Sequence, residues 1–404
     1  MSVLDRIRSL LDPTLRRLRP AAGAINRRLR LLMGAVRRRL GVLVRRTRSL
    51  IAGRSRRWRV AAGGAAVLVL LPLVVFVATR GGGASPEPTT TTTTVPTTTT
   101  TVPTTTTTTA PPPVAPLTGV PGDFRRPALI VKIDNVSAAR PQSGLRQADV
   151  VIEEPVEGNL TRLAAVFQSA EASIVGPIRS MRTSDLELIP MFGRPLFASS
   201  GGNAGVVPQL HQANVVDIGN NVSGQGFRRD PGRPAPHNLY SSTAELYQKA
   251  PETPPPPKPI FQYLLRGERP GPGAQPVHGV ALRFGGSEIS RFTWDPAAQV
   301  WLRSQNGTPH MAAEGIQIGP RNVVVAEINY DLSGQIGRSV PHAIVTGTGP
   351  AVVLTKGQAI RGSWVRPSLL HRLKFVAADG RTDIKLTPGQ TFIELPSRGG
   401  ATLF

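Results

Sequence analysis

One segment of the chain, residues 60–79, carries no charged side chain and constrains everything around it. It reads VAAGGAAVLVLLPLVVFVAT, and at 1.5 Å of rise per residue a helix of this length spans about 30 Å, the thickness of the hydrocarbon core of a bilayer. A buried core helix is the alternative, but core helices seldom run this long without a polar residue. The segment therefore predicts a single transmembrane helix.

The two flanks of this segment differ strongly in charge. Residues 1–60 contain 18 arginines, no lysine and two acids, which gives a net charge of +16 out of the +23 of the whole chain. Because arginine-rich flanks stay in the cytoplasm, we expect residues 1–59 inside the cell and residues 81–404 outside. A cleaved signal peptide is the rival interpretation, but its charged region would be unusually long, so an uncleaved signal anchor is favoured.

The basic segment before the span has the periodicity of an amphipathic helix, with apolar residues three or four positions apart between arginines over 25–50. We expect it to lie on the cytoplasmic membrane, where each arginine near anionic lipid contributes about 1 kcal/mol. Nucleic-acid binding is the less favoured alternative, since the segment lacks interleaved aromatic residues and any known reading motif. A topology signal without any partner is the third interpretation.

A segment of low complexity, residues 80–116, follows the predicted span. Its threonine tracts 89–94, 97–101 and 104–109 are separated by Val-Pro pairs, and it has almost no apolar residue to bury. We expect a disordered Thr/Pro stalk over 80–116. Its low-complexity run 86–116, at about 3.1 Å per residue, holds the following domain up to roughly 90 Å from the bilayer. O-glycosylation and an undecorated spacer are both consistent with this composition.

The remaining residues, 117–404, are enough for a large core, and their pattern predicts an α+β fold. We expect a mixed α/β first lobe over 117–250, a Pro-rich linker over 251–276 and a mainly β second lobe over 277–404. Strands are predicted at 128–134, 149–153, 163–167, 195–198 and 215–218, and helices at 183–192 and 243–250. The second helix begins with a capping box at Ser242 and Glu245.

Several short motifs of this outer region occur together. They are KIDN (132–135), ARPQSGL (139–145), ADVVIEEPVEG (148–158), GPIRSMR (176–182), APHNLY (235–240), NGTPH (306–310) and the stretch 357–364. With them the chain resembles, over most of 118–400, the DUF3048 family of YerB-like bacterial lipoproteins. Three positions depart from the pattern of that family: Ile152 replaces a tyrosine, Asn159 a small residue and Ser199 a frequent histidine. The resemblance implies little about activity.

The chain also departs from lipoproteins in a simpler way, because it contains no cysteine. It therefore has no disulfide framework and no thiol that could carry a lipid. We expect the membrane helix to replace the lipid anchor.

Polar residues of opposite sign concentrate where the predicted strands of the first lobe end. The ligand-binding candidates are Asp134, Asn135, Arg140, Glu153, Glu157, Arg162, Arg179, Arg182, His237 and Asn238, with Asp149 and Asp185 beside them. In one interpretation the arginines line a cleft and bind a carboxylate or phosphate of a cell-wall polymer, because a guanidinium group binds such anions bidentately. In the other they pair with Glu153, Glu157 and Asp185 and stabilise the fold.

A catalytic interpretation is weaker. Glu153 and Glu157 could act as acid and base on a glycan, with His237 as a further acid or base. However, no G-x-S-x-G motif occurs, the six histidines are scattered without metal-ligand spacing, and the Gly-rich run 199–203 is too weak to predict a phosphate loop. We therefore expect no metal and no cofactor, and a non-catalytic protein that binds an envelope component. A hydrolase or transferase acting on cell-wall glycan is the alternative.

Overall fold

A computed structural model describes residues 113–203, 205–285, 289–333 and 340–404. The predicted cytoplasmic segment, the predicted transmembrane helix and nearly all of the predicted stalk lie outside these residues. Within the described part of the chain, no helix is both long enough and apolar enough to cross a membrane.

The described residues form a mixed α/β structure with mainly β content and few helices. The strands are β1 Leu129–Asp134, β2 Val150–Pro155, β3 Thr161–Phe167, β4 Leu196–Ala198, β5 Val216–Asp217, β6 Arg228–Arg229, β7 Leu239–Tyr240, β8 Gln275–Pro276, β9 Gly279–Arg283, β10 Ile289–Asp295, β11 Val300–Gln305, β12 Thr308–Pro309, β13 Asn322–Ala326, β14 Asn329–Asp331, β15 His342–Ile344, β16 Gly347–Thr355, β17 Gln358–Arg366, β18 Lys374–Ala377, β19 Thr391–Glu394 and β20 Ala401–Leu403. The α-helices are Thr183–Leu188, Val206–Leu210 and Thr243–Gln248, and short 3-10 helices cover Ser137–Ala139, Glu157–Asn159 and Ile189–Phe192.

Local sequence signals agree with many of these elements. The strands predicted from 128, 149, 163, 195 and 215 are present within one or two residues of the expected positions. The capping box is also present, since the Ser242 hydroxyl accepts from the Glu245 backbone N–H at 3.1 Å and the Glu245 carboxylate accepts from the Ser242 N–H at 2.9 Å. Pattern and capping chemistry therefore place these elements correctly.

A large central sheet dominates the structure. Its strand order is β18-β17-β16-β13-β19-β2-β3-β1-β4-β5, with β8 added beside β17. β19, near the end of the chain, lies between β2 and β13 and pairs in parallel with both. The expected division into two lobes therefore does not produce two separate sheets. A strand from the second predicted lobe completes the sheet of the first, because a strand buried on both sides needs a hydrogen-bonding partner at each edge.

A second, five-stranded antiparallel sheet of order β12-β11-β10-β9-β20 packs against one face of the central sheet. One apolar cluster contains Leu129 and Val151 from the central sheet together with Leu282 and Trp301 from the second sheet. The rings of Phe292 and Phe392 meet edge to face across this contact, with centroids 5.7 Å apart. This face of the central sheet is therefore closed to solvent.

The other face of the central sheet is covered by the helical segments. Ile130 and Ile152 pack there in a cluster with Leu188, Phe192 and Phe261. Because side chains alternate along a strand, each central strand sends consecutive residues to different layers. Two polar residues that are consecutive in a central strand therefore face different layers and have different neighbours.

Candidate functional site

Six of the polar residues singled out in the sequence meet at the helical face of the central sheet, and we call them the arginine cluster. They are Asp134, Glu157, Arg162, Arg179, Arg182 and His237. Asp134 ends β1 and faces Arg162 of β3 in the strand register. The segment that carries Arg179 runs along β1, where the Arg179 N–H donates to the Lys132 carbonyl at 2.8 Å. Strand pairing therefore brings these charges together.

Asp134 lies at the centre of the open part of the cluster. One oxygen of its buried carboxylate accepts from Arg179 Nε at 2.9 Å and from His237 Nδ1 at 2.8 Å. The carboxylate is 2% exposed, whereas the side chains of Arg179 and His237 are 24% and 18% exposed. The contact requires the proton on Nδ1 when the imidazole is neutral, which leaves Nε2 as an acceptor.

Glu157 and Arg182 form a bidentate pair at the edge of the cluster. Arg182 Nε donates to Glu157 at 2.7 Å, and Arg182 Nη2 donates to the second carboxylate oxygen. These hydrogen bonds lower the pKa of Glu157 from its ordinary 4.5 to about 2. Glu157 therefore carries a charge at neutral pH, and its hydrogen-bonding capacity is taken up mainly by Arg182.

Arg162 is a second buried cation of the cluster, about as enclosed as Arg182. Its Nη1 donates to the Ser180 carbonyl at 2.8 Å, and its Nη2 lies 3.8 Å from Glu157. Its buried Nε has no hydrogen-bond partner among the described residues. Burial, together with the nearby Arg182 charge, lowers the pKa of Arg162 to about 10, so it stays protonated at neutral pH. The six residues of the cluster thus hold three guanidinium groups against two carboxylates, and Lys132, Glu154 and Asp185 adjoin them.

Glu153 does not belong to this cluster, and the expectation that it lies beside Glu157 is wrong. It projects from the opposite face of the central sheet, is fully buried and pairs with Arg303 Nη2 at 2.7 Å. It also accepts from Asn135 Nδ2 at 3.0 Å and from the Thr161 hydroxyl at 2.7 Å. An enclosed and fully bonded carboxylate cannot flank a substrate, so Glu153 and Glu157 do not form an acid and base pair.

Glu153 lies beside a second buried carboxyl group, that of Glu394, and the two groups influence each other's pKa. Burial raises the pKa of Glu394 well above its usual range, and the neighbouring Glu153 charge adds to the effect. Burial also works to raise the pKa of Glu153, but the Arg303 charge and the hydrogen bonds outweigh it and lower the pKa. Glu153 is therefore the ionised member and Glu394 the neutral member of the pair.

His310 completes this buried group and was not among the candidates predicted from the sequence. Its Nε2 bonds to Gln142 Oε1 at 2.7 Å, and its Nδ1 accepts from Arg303. Burial and the Arg303 charge lower its pKa well below the ordinary value, so the ring is neutral. The motif 306–310 contains His310, but Arg303 lies in an alternating strand and gave no sequence signal.

A second missed cation, Lys132, lies on the same face of the sheet as the arginine cluster. Its buried Nζ contacts Glu154 and lies 2.9 Å from Asp185. Burial raises the pKa of Glu154 to about 7, although Lys132 opposes this. Asp185, expected to pair with an arginine side chain, instead accepts from the Arg182 backbone N–H at 2.6 Å.

The remaining candidates lie elsewhere. Asn238 holds a turn, since its Oδ1 accepts from Arg229 at 2.6 Å and its Nδ2 donates to the Arg233 carbonyl at 3.3 Å. Arg140 lines a separate cavity of about 470 Å³ together with His310. Asp149 caps a turn by accepting from the N–H of Ser169 at 2.8 Å. Among the described residues, no group of three or more acidic or histidine side chains could hold a metal ion.

Comparison with known proteins gives concordant results. The family described as "Protein of unknown function (DUF3048) N-terminal domain" matches residues 117–255, and its C-terminal domain matches residues 280–393. The chain is 28% identical over 292 residues to the protein named "Putative lipoprotein YerB" of Bacillus subtilis (strain 168), covering 70% of this chain and 85% of that protein. The crystal structure of YerB from Bacillus subtilis superposes with a TM-score of 0.61 at 26% identity, over 72% of this chain and 99% of that one.

Proposed function

The chain belongs to the DUF3048 family, and from this premise we propose that it is a cell-envelope protein whose arginine cluster binds an anionic group of an envelope polymer. The lipoprotein description of the Bacillus relative supports a place in the envelope. The observation that carries the binding proposal is the partly open Arg179 guanidinium, whose side chain bonds to Asp134 through Nε.

Arg179 is the residue best placed to contact a ligand. Within the described residues it contacts Asp134 through Nε only, so both of its terminal amino groups are free of protein partners. Those two groups form the fork that binds a carboxylate or a phosphate with two parallel hydrogen bonds. Because buried Asp134 holds the guanidinium in place, less side-chain entropy is lost on binding. His237 is hydrogen-bonded through Nδ1 to the same Asp134 oxygen as Arg179, and its ring offers a further polar group to the ligand.

The membrane anchor belongs to the same proposal. The arginine asymmetry of the sequence supports a single span at 60–79, with residues 1–59 on anionic lipid of the cytoplasmic leaflet. The Thr/Pro segment would then hold the folded region at a distance from the bilayer, where cell-wall polymers with phosphate or carboxylate groups are accessible.

Catalysis on cell-wall glycan is the second candidate, and one observation favours it. The Asp134 carboxylate orients His237 so that Nε2 is available as a general base. Since Glu153 is buried and Glu157 is bound to Arg182, His237 is the remaining candidate base of the original three. A hydrolase or transferase would therefore depend on His237 and not on a pair of glutamates.

Titration of residues 113–404 with inorganic phosphate and with acetate tests the binding proposal. This segment suits the experiment because it contains all the described residues, and because the crystallised chain of the relative matches 72% of this chain over 99% of its own length. We expect Arg179→Gln to weaken anion binding by about tenfold or more, since a charge-assisted bidentate contact is lost. Arg126→Gln, which removes a partly exposed arginine paired with Glu171, serves as the matched control. Equal binding by Arg179→Gln and the unmodified segment would refute the proposal.

Incubation of the same segment with isolated cell-wall glycan tests the alternative. Release of soluble fragments that is lost in His237→Gln would favour catalysis. Association without release, sensitive to Arg179→Gln, would favour binding.

A further inference from the structure

A basic cavity lies beside the hairpin formed by β6 and β7, and none of the six residues of the arginine cluster lines it. It has a volume of about 380 Å³, and the residues that matter for its chemistry are Ile174, Arg228, Arg229, Asp230, Arg233 and Tyr240. This volume is within the range of small-molecule binding sites in proteins. None of these residues is among the binding candidates predicted from the sequence, although Tyr240 ends the motif APHNLY (235–240).

The walls of the cavity are held in place by hydrogen bonds. Arg228 pairs with Tyr240 in the strand register, so both strands of the hairpin contribute to the lining. The Arg233 guanidinium donates to the carbonyls of Ala139 at 3.0 Å and Pro141 at 2.9 Å, which ties the turn to the segment after β1. The cavity is therefore preformed, and a ligand would not have to order it.

The charge of the cavity is positive. Arg228 pairs with Glu245 at 3.1 Å, and Arg233 lies 4.0 Å from Asp230. Arg229 differs from both, because its hydrogen bond at 2.6 Å goes to the neutral amide oxygen of Asn238. Within the described residues no carboxylate pairs with Arg229, so its charge is available to an anion.

The cavity also offers neutral polar and apolar contacts. The Tyr240 phenol and the Ser143 hydroxyl make no side-chain hydrogen bond to another described residue, although both residues line the cavity. Ile174, 47% exposed, and Pro231 present apolar surface beside them. Hydroxyl partners, an apolar surface and a cation together match a sugar ring that bears an acidic group, because such a ring has hydroxyls, an apolar C–H face and a negative charge.

We infer that this cavity binds an anionic sugar unit, in which Arg229 binds the acidic group and the Tyr240 hydroxyl bonds to the ring. The acidic group is a carboxylate, as in a uronic acid, or a phosphate, as in a sugar phosphate; both offer the same pair of oxygens to a guanidinium group. This inference uses no residue of the arginine cluster and stands independently of the function proposed for it.

Isothermal titration of residues 113–404 with glucuronate, glucose 1-phosphate and glucose tests the inference. We expect the two anionic sugars to bind and glucose to bind at least about tenfold more weakly, since the charge-assisted hydrogen bond is absent. Arg229→Gln should weaken binding of the anionic sugars by about tenfold or more. Tyr240→Phe, which removes only a hydroxyl, should weaken it by a few-fold, roughly the worth of one neutral hydrogen bond.

Two control variants make the outcome specific. Arg291→Gln removes an exposed arginine of the five-stranded sheet and should not change sugar binding. Because the arginine cluster is itself proposed to bind anions, the Arg229→Gln and Tyr240→Phe titrations are repeated in an Arg179→Gln background, where the loss caused by each should persist. Absence of binding by both anionic sugars, equal binding of glucose, or unchanged affinity in both Arg229→Gln and Tyr240→Phe would overturn the inference. Loss of sugar binding in Arg179→Gln alone would also overturn it, because the sugar would then occupy the arginine cluster.

Discussion

Glu153 and Glu154 are consecutive in the chain, yet they bind different cations on opposite faces of the central sheet. Glu153 pairs with Arg303 of the five-stranded sheet, and Glu154 pairs with Lys132 on the helical face. Both carboxylates are fully buried in β2. Because a strand sends alternate side chains to opposite sides, these neighbours belong to different polar groups. The pair of Glu153 and Arg303 joins the two sheets. The pair of Glu154 and Lys132 adjoins the arginine cluster on the helical face.

Replacement of Arg303 by leucine should destabilise the fold strongly. It leaves the Glu153 carboxylate buried without its cation, for which we expect a loss of about 3–5 kcal/mol in the free energy of unfolding. Urea denaturation measures this value, and Arg291→Leu on neighbouring β10, an exposed position, serves as the control. Combining Arg303→Leu with Glu153→Gln should recover part of the loss, since no unpaired charge remains. An Arg303→Leu protein as stable as the control would show that the pair contributes nothing.

The Glu157 pair predicts a pH dependence with a definite sign. Arg182 lowers the pKa of Glu157 from 4.5 to about 2, so the unfolded chain binds the proton more readily. The stabilisation is therefore present above about pH 5 and is lost as the pH falls towards 2. The difference in unfolding free energy between the unmodified segment and Glu157→Gln should shrink over this window in urea titrations. Glu171→Gln, at an exposed carboxylate, is the control; a difference that stays constant with pH would contradict the assignment.

Shortening the chain tests whether the central sheet depends on β19, the strand near the end of the chain. Residues 113–390 lack β19, which lies between β2 and β13, so both of those strands lose a hydrogen-bonded neighbour. We expect this fragment to lose cooperative unfolding and the dispersed amide signals of a folded protein. A fragment ending at residue 400 loses only β20 at the edge of the second sheet and should remain folded. Cooperative unfolding of 113–390 would show that the fold does not require β19.

The backbone of Gly176 lies close to the backbone of Leu239, next to Tyr240 in the wall of the cavity beside β6 and β7. Its φ is +147°, and a Cβ there would lie 2.7 Å from the Leu239 carbonyl oxygen and from a Tyr240 ring carbon. We expect Gly176→Ala to lower the free energy of unfolding by about 3 kcal/mol, through backbone strain and steric overlap. Gly193→Ala is a matched control, because its φ of +78° is also positive while no atom lies within 4 Å of its Cβ. That variant should lose only about 1 kcal/mol; equal losses would exclude the steric contribution.

The proposed topology can be checked in cells. With residues 1–59 inside and 81–404 outside, protease added to intact spheroplasts should degrade the folded region and leave a small membrane-bound fragment. Detection requires one tag at each end of the chain. A cytoplasmic protein expressed in the same cells should stay intact and reports on leakage. Full protection of residues 117–404 would refute the topology.

Much of the secondary structure could be predicted from the sequence. Each of β1, β2 and β3 contains an apolar run of at least three residues, and the helix after Ser242 begins with a capping box; both signals act over a few residues. Charges beside apolar runs likewise indicated where Asp134 and Arg162 lie, because Asp134 follows the run of β1 and Arg162 precedes the run of β3, and both runs must be buried. The family motifs around 132–182 agreed with these local signals.

The partners of these elements were decided only by the tertiary structure. Nothing near β2 indicates that β19, more than two hundred residues later, completes its sheet, since hydrogen bonding between strands is the same for any apolar pair. Glu153 and Glu157 are also separated by packing, because the five-stranded sheet supplies the partner of Glu153 whereas Glu157 pairs with Arg182. Neither Arg303 nor Lys132 was a binding candidate from the sequence, and packing buries both beside carboxylates. Local periodicity determines what a segment becomes, whereas long-range packing determines which charges meet, because a buried charge needs a partner that another part of the chain supplies.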